Sequence, residues 1–182
     1  CLNVNCPPQQ KGRILHFVSK QAMDIEFFGE SLVERLLEKG LLKNSADLYS
    51  LKREDLLSVD GLGEKSADNI LNALELSKKK ELWRLIHGLG IQYVGAQTSK
   101  DLAFELKTLD AFLEAKESTL LEIRGIGKKV VYSILAFLSD KNNIELLALL
   151  KNSGIVLTSP EERSGRFVGK VFVLTGTLAS MT

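Results

Sequence analysis

The chain has 182 residues, of which 45% are hydrophobic and 26% charged, with a formal net charge of +1. That composition supports a packed core of one or two domains and excludes a disordered chain. It is not that of a uniformly basic nucleic-acid binder, and no apolar run is long enough to span a bilayer. The first residues lack the basic, apolar and small-residue succession of a secretory signal, and two cysteines make no disulfide framework. Both features point to a cytoplasmic protein. Its first residue is a cysteine and its last residues open a new pattern, so the sequence reads as cut at both ends.

Residues 1–12 read as loop. Cys1 and Cys6 are spaced as one half of a four-cysteine zinc site or are two incidental thiols; structural zinc takes four ligands. Residues 13–22 read as a short helix, although Ile14 to Val18 also suit a strand. A turn-like string Ile25-Glu26-Phe27-Phe28-Gly29 follows, and Phe27 and Phe28 read as core. Residues 31–39 place Leu32, Val33, Leu36 and Leu37 on one helical face, ended by Gly40. Short helical segments at 45–49 and 53–57 lead to Val59-Asp60-Gly61-Leu62-Gly63, after which Ala67, Ile70, Leu71 and Leu74 mark an amphipathic helix. Lys78, Lys79 and Lys80 end that helix with favourable charge.

The glycine pattern returns at Ile86-His87-Gly88-Leu89-Gly90 and at Ile123-Arg124-Gly125-Ile126-Gly127. The third copy extends through Ile91-Gln92-Tyr93-Val94-Gly95, which puts its second helix at Gly95 or Ala96. Segments 108–115 and 119–123 approach the fourth turn, and 128–138 completes it with Val131, Ile134, Leu135 and Leu138 inward. One more helix spans 143–151. Residues 158–165 are a polar linker with Pro160 and Gly165, and 167–177 change to strand-forming residues. That tail is either an edge addition or the start of another domain.

Four turns joining helical runs predict an array of helix-hairpin-helix units. Main-chain amides opening a helix have no partner within it and, with the helix dipole, seat an anion such as phosphate. Such donors are blind to base identity, so the expected binding is independent of nucleic-acid sequence. The candidates are Gly61, Gly63, Lys65 and Ser66; Gly88, Gly90, Gly95, Gln97 and Thr98; and Arg124, Gly125, Gly127, Lys128 and Lys129. Ser66 and Thr98 either bond phosphate or cap their helices. Trp83, Tyr93 and Tyr132 either stack on bases or, as their apolar neighbours favour, pack in the core. His16 and His87 have no nucleophile or metal partner by spacing, and no catalytic constellation is present.

Residues 1–22, residues 29–51, the string Gly61-Leu62-Gly63-Glu64-Lys65-Ser66-Ala67-Asp68-Asn69 and the string Leu89-Gly90-Ile91-Gln92-Tyr93-Val94-Gly95 together resemble the C-terminal half of a bacterial NAD-dependent DNA ligase. The likeness runs over nearly the whole chain. It implies a mainly α fold: a tandem helix-hairpin-helix array with four motifs, preceded by a partial zinc-finger segment and followed by a truncated BRCT start. The implied division is 1–22, end of the zinc-finger segment; 23–157, helix-hairpin-helix domain; 158–165, linker; and 166–182, opening of the BRCT domain. By the same resemblance Cys1 and Cys6 are zinc ligands, and the other cysteine pair of that finger does not occur in this sequence. Gly61, Gly63, Gly88, Gly90, Gly125 and Gly127 match the family's turn glycines, whereas Phe27 departs from the first and Gln97 stands where an acidic residue is common. Thr175 and Gly176 match the region of the BRCT phosphate pocket.

Enzymes of that family seal nicks in DNA replication and repair. They transfer AMP from NAD to a lysine and then to the DNA phosphate, with magnesium assisting. That lysine lies in Lys-x-Asp-Gly, which is absent here; the nearest string is Ser58-Val59-Asp60-Gly61. The resemblance therefore implies a non-catalytic, monomeric piece that holds nicked double-stranded DNA beside the adenylation and OB-fold domains of its parent. NAD and magnesium are expected to serve the parent and not this piece. Two other readings fit the turns: a module of an excision-repair nuclease complex, and a protein-interaction scaffold.

Overall fold

The computed structural model describes residues 7–155 and 157, and every element among them is helical. In chain order these are α1 (Pro7–Val18), α2 (Glu30–Glu38), a 3-10 helix (Ser45–Ser50), α3 (Arg53–Leu57), α4 (Glu64–Ser77), α5 (Leu82–Gly88), α6 (Ala96–Leu106), α7 (Leu109–Leu113), α8 (Glu117–Glu122), α9 (Lys128–Ser139) and α10 (Lys141–Asn152). Four of the successive pairs, α1 with α2, α3 with α4, α5 with α6 and α8 with α9, pack together across a short turn. The expected helix-hairpin-helix units are these pairs.

Residues 7–12 belong to α1 and not to a loop. A proline at the first helical position loses no hydrogen bond, because that N–H has no partner within the helix. The ambiguity at Ile14 to Val18 resolves as helix, with Ile14, Phe17 and Val18 buried at three- and four-residue spacing. Gly40 ends α2 with paired bonds, Gly40 N–H to the Leu37 carbonyl at 2.9 Å and Leu41 N–H to the Leu36 carbonyl at 2.9 Å. The 3-10 helix is fixed by Asn44, whose Oδ1 accepts from Ala46 N–H at 2.8 Å, while Asp47 Oδ2 accepts from Asn44 N–H at 3.1 Å. Asp140 opens α10 in the same manner, accepting from Asn142 N–H at 2.9 Å.

One apolar core joins the four units. α1 packs on α5 and on the 3-10 helix, and α10 packs on α9 and on the 3-10 helix, so the first and last of the described helices close over the middle. Phe17, Leu36, Leu56, Ile70, Leu85, Leu102, Phe112 and Ile134 are core members from as many helices. Lys80 does more than end a helix: its Nζ meets Asp24 Oδ2 at 2.7 Å and ties the end of α4 to the approach of the first turn. That bond holds the Asp24 carboxyl below its ordinary range. The linker at 158–165, the strand-forming tail with Thr175 and Gly176, and the Cys1/Cys6 segment all lie outside the described residues.

Candidate nucleic-acid interface

Each helix pair is joined by the same backbone device. An apolar residue is followed, two positions on, by a residue with positive φ, then by a second apolar residue and a glycine that opens the next helix. In units two and four the positive-φ residues are Gly61 (79°) and Gly125 (85°), a conformation glycine adopts without a Cβ penalty. The opening glycines Gly29, Gly63, Gly95 and Gly127 are extended, with φ of −73°, −92°, −84° and −91°. Leu62 N–H bonds the Val59 carbonyl at 3.1 Å, Val94 N–H the Ile91 carbonyl at 3.0 Å and Ile126 N–H the Ile123 carbonyl at 3.1 Å, which closes each bend. Val59, Ile91, Val94, Ile123 and Ile126 are buried and anchor the turns to the core.

The third turn therefore lies at Ile91–Gly95, five residues later than the expected Ile86–Gly90. Gly88 sits inside α5 and is buried; a Cβ there would come 3.1 Å from Phe17 Cδ2, so the position is kept small by packing. Gly90, with φ of 66°, follows the end of α5, its N–H bonding the His87 carbonyl at 3.1 Å. Tyr93, with φ of 65°, occupies the place of Gly61 and Gly125, and Phe27, with φ of 71°, occupies it in unit one. Phe28 is core as expected, whereas Phe27 is exposed at the tip.

No opening glycine can cap with a side chain, and the carbonyls of Gly63, Gly95 and Gly127 accept only from the fourth helical residue or its neighbour. The amides of Glu64, Lys65 and Ser66, of Ala96, Gln97 and Thr98, and of Lys128 and Lys129 have no acceptor among the described residues. These free donors point along helix axes at their positive ends, as an anion seat requires. Ser66 and Thr98 are not caps, and neither hydroxyl has a partner among the described residues. Gln97 Nε2 donates to Asp101 Oδ1 at 2.8 Å. Lys65, Arg124, Lys128 and Lys129 are exposed and make no ion pair among the described residues. Near the second turn Arg53 draws in the carboxylates of Asp68 at 2.6 Å and Glu64 at 3.5 Å, which lowers their repulsion of an arriving anion.

Two contacts tie neighbouring turns together, and local pattern foretells neither. Arg35 of α2 donates through Nη1 to the Asp60 carbonyl in the second turn and through Nε to the Ser31 carbonyl at 3.2 Å. Lys129 of α9 places Nζ 4.1 Å from the Tyr93 ring centroid in the third turn. Trp83 is partly buried against the core and is covered by Arg84 and Lys100, each 4.7 Å from its centroid, so packing is its role. Tyr132 is exposed on α9, one turn beyond Lys128 and Lys129. Behind the third turn, His16 Nε2 donates to the His87 carbonyl at 2.8 Å. Burial, then the nearby His16, hold His87 below the ordinary imidazole range.

Comparison with known proteins fits this geometry. A family profile described as "SAM-like Helix-hairpin-helix tandem" matches residues 20–76, and one described as "Helix-hairpin-helix motif" matches residues 84–147. A DNA ligase of Thermoanaerobacter sp. (strain X514) is 44% identical over 184 residues, covering 100% of this chain and 28% of the relative. A DNA ligase of Geobacter metallireducens is 45% identical over 179 residues, with 98% and 27% covered. A DNA ligase of Methylacidiphilum infernorum is 46% identical over 181 residues, with 98% and 26% covered. The chain is similar over nearly its whole length to a segment of these DNA ligases, and it carries helix-hairpin-helix matches. It spans about 28% of the length of the first of these curated relatives. The two profiles each cover two of the four turns, those of units one and two and those of units three and four. Among the described residues no group of three or more His, Cys, Asp or Glu could hold a metal ion, and no helix is long and apolar enough to cross a membrane.

Proposed function

We propose that this chain binds the backbone of duplex DNA without regard to sequence and positions nicked DNA for NAD-dependent ligation by a parent enzyme. The observation that carries this reading is the repeated turn: an extended glycine opens a helix whose first amides lack acceptors, beside exposed lysines without carboxylate partners. Phosphate oxygens complete those amides, and Lys65, Lys128 and Lys129 add charge at helix ends where a bound anion offsets their unfavourable place in the dipole. Gly61, Gly63, Gly95, Gly125 and Gly127 let the main chain come close, while Gly88 and Gly90 shape α5 and its exit. Ser66, Gln97, Thr98 and Arg124 stand at the rims of these seats.

The adenylation chemistry, in which NAD supplies AMP and magnesium stabilises phosphoryl charge, is assigned to domains of the parent that carry the Lys-x-Asp-Gly lysine. The resemblance to ligases supports that division, as does the share of the relatives that this chain spans. Zinc is assigned to Cys1 and Cys6 through the same resemblance, and no step of the binding passes through it. The test is titration of a labelled nicked duplex with the chain at rising salt. Binding that is alike for unrelated sequences and falls steeply with salt supports the reading. Absence of binding at low salt leaves the scaffold reading, and nick sealing by the chain alone with NAD and magnesium refutes its non-catalytic part.

A further inference from the structure

The two pairs of units share an asymmetry. In each, the positive-φ residue at the tip of the first turn is aromatic, Phe27 in unit one and Tyr93 in unit three, whereas the second turn has glycine, Gly61 or Gly125. A side chain at positive φ is disfavoured, and a large ring left in water gains nothing from burial. Phe27 is nevertheless 55% exposed and Tyr93 50% exposed, although the apolar residues on either side of each are buried. Neither ring serves the core, and the sequence keeps both where glycine would sit without strain.

We infer that Phe27 and Tyr93 are direct DNA-contact residues, packing on the sugar edge of the duplex beside the phosphates that the array of turns holds. The inference rests on the DNA-backbone reading above. Each ring lies two residues before an opening glycine, and the amides of Glu30 and Ser31 after Phe27, like those of Ala96 to Thr98 after Tyr93, have no acceptor among the described residues, so a ligand that brings an anion to the helix start brings its neighbouring groups to the ring. In a nucleic acid those groups are the apolar faces of deoxyribose and base. Lys129 marks the same occupant: its Nζ lies 4.1 Å from the Tyr93 centroid and has no carboxylate partner among the described residues. An apolar protein surface docked there would bury that charge unpaired, while a sugar–phosphate edge takes ring and charge together. Each pair of units then has two kinds of turn. The glycine tip lets the main chain close on a phosphate; the aromatic tip holds the main chain back and supplies apolar contact instead.

The experiment compares the 182-residue chain with Phe27→Gly, Tyr93→Gly, the double variant and Tyr93→Phe. Glycine suits the positive φ at both places, so melting temperature and helicity are expected to hold. Each ring removal is expected to weaken nicked-duplex binding about tenfold, in the range of aromatic contacts to nucleic acid. The slope of log affinity against log salt should not change, since no cation is removed. Tyr93→Phe should bind as the parent chain does. Undiminished affinity in the double variant, with the parent chain binding, overturns the inference alone. A slope reduced by about one in Tyr93→Gly would also overturn it, because the ring would then act only by placing Lys129. Failure of the parent chain to bind duplex at any salt overturns the DNA-backbone reading itself.

Discussion

Valine placed at both Gly63 and Gly127 separates what the turn does for the fold from what it does for a ligand. A Cβ at either position meets no atom within 4 Å. The backbone there, φ −92° with ψ 171° and φ −91° with ψ 165°, is extended, which a β-branched residue accepts. Valine is a poorer helix-opening residue than glycine but loses less chain entropy on folding, and these opposed terms leave a stability change within about 1 kcal/mol. The ligand side differs. One isopropyl group now stands beside the free amides of Glu64 to Ser66 and another beside those of Lys128 and Lys129. A hydrogen bond to a charged group contributes roughly 1.5–3 kcal/mol, so loss of one per turn costs about 3 kcal/mol for the pair at the lower figure. That is about two orders of magnitude in dissociation constant. Anisotropy of a labelled nicked duplex at low salt measures it, with far-ultraviolet circular dichroism on the same samples. Equal affinity at equal helicity refutes the backbone-amide role. The same substitution at Gly61 or Gly125 is a weaker test, since positive φ there strains any side chain and mixes folding with binding.

Three further outcomes are expected. Gly88→Ala drives a Cβ to 3.1 Å from the buried Phe17 ring; overpacking less the helix-propensity gain predicts a net loss of roughly 1 kcal/mol in urea unfolding. Duplex affinity per folded molecule should stay unchanged, and a loss of affinity at full stability would return Gly88 to the interface. Lys128→Gln and Lys129→Gln should each reduce the salt slope of duplex binding by about one, whereas two unaltered slopes would make both lysines ordinary solvated side chains. His87 has a folded-state pKa below its usual value of 6.5, so the unfolded chain binds the extra proton and stability falls as pH drops from above 6.5 into that window. The unfolding free energy of the parent chain should fall relative to His87→Gln over this range, and parallel pH profiles would contradict it.

How far the sequence discloses the structure depends on whether one short string or two distant segments decide a feature. The turns of units two and four are local: Val59-Asp60-Gly61-Leu62-Gly63 and Ile123-Arg124-Gly125-Ile126-Gly127 carry their own positive-φ glycine and opening glycine, and both fold as read. The start of α6 at Ala96 was also legible, from Gly95. In unit three the glycines mislead, because Gly88 and Gly90 reproduce the pattern for unrelated reasons. One makes room for Phe17, which lies far away in the chain, and the other ends a helix. The bend itself falls on Tyr93, a residue whose type argues against positive φ. Phe27 reads as core by the same preference for burying rings and is exposed. The Arg35 bond to the second turn and the Lys129 contact with Tyr93 depend on helices meeting across units, which no periodicity encodes. The local rule errs differently at the two aromatic tips: at Ile25 to Gly29 it places the turn and misjudges the burial of Phe27, and in unit three it misplaces the turn itself. In unit three it takes the glycines that fit a bend best, while in both places the chain holds a ring at positive φ, a conformational cost that core burial does not offset.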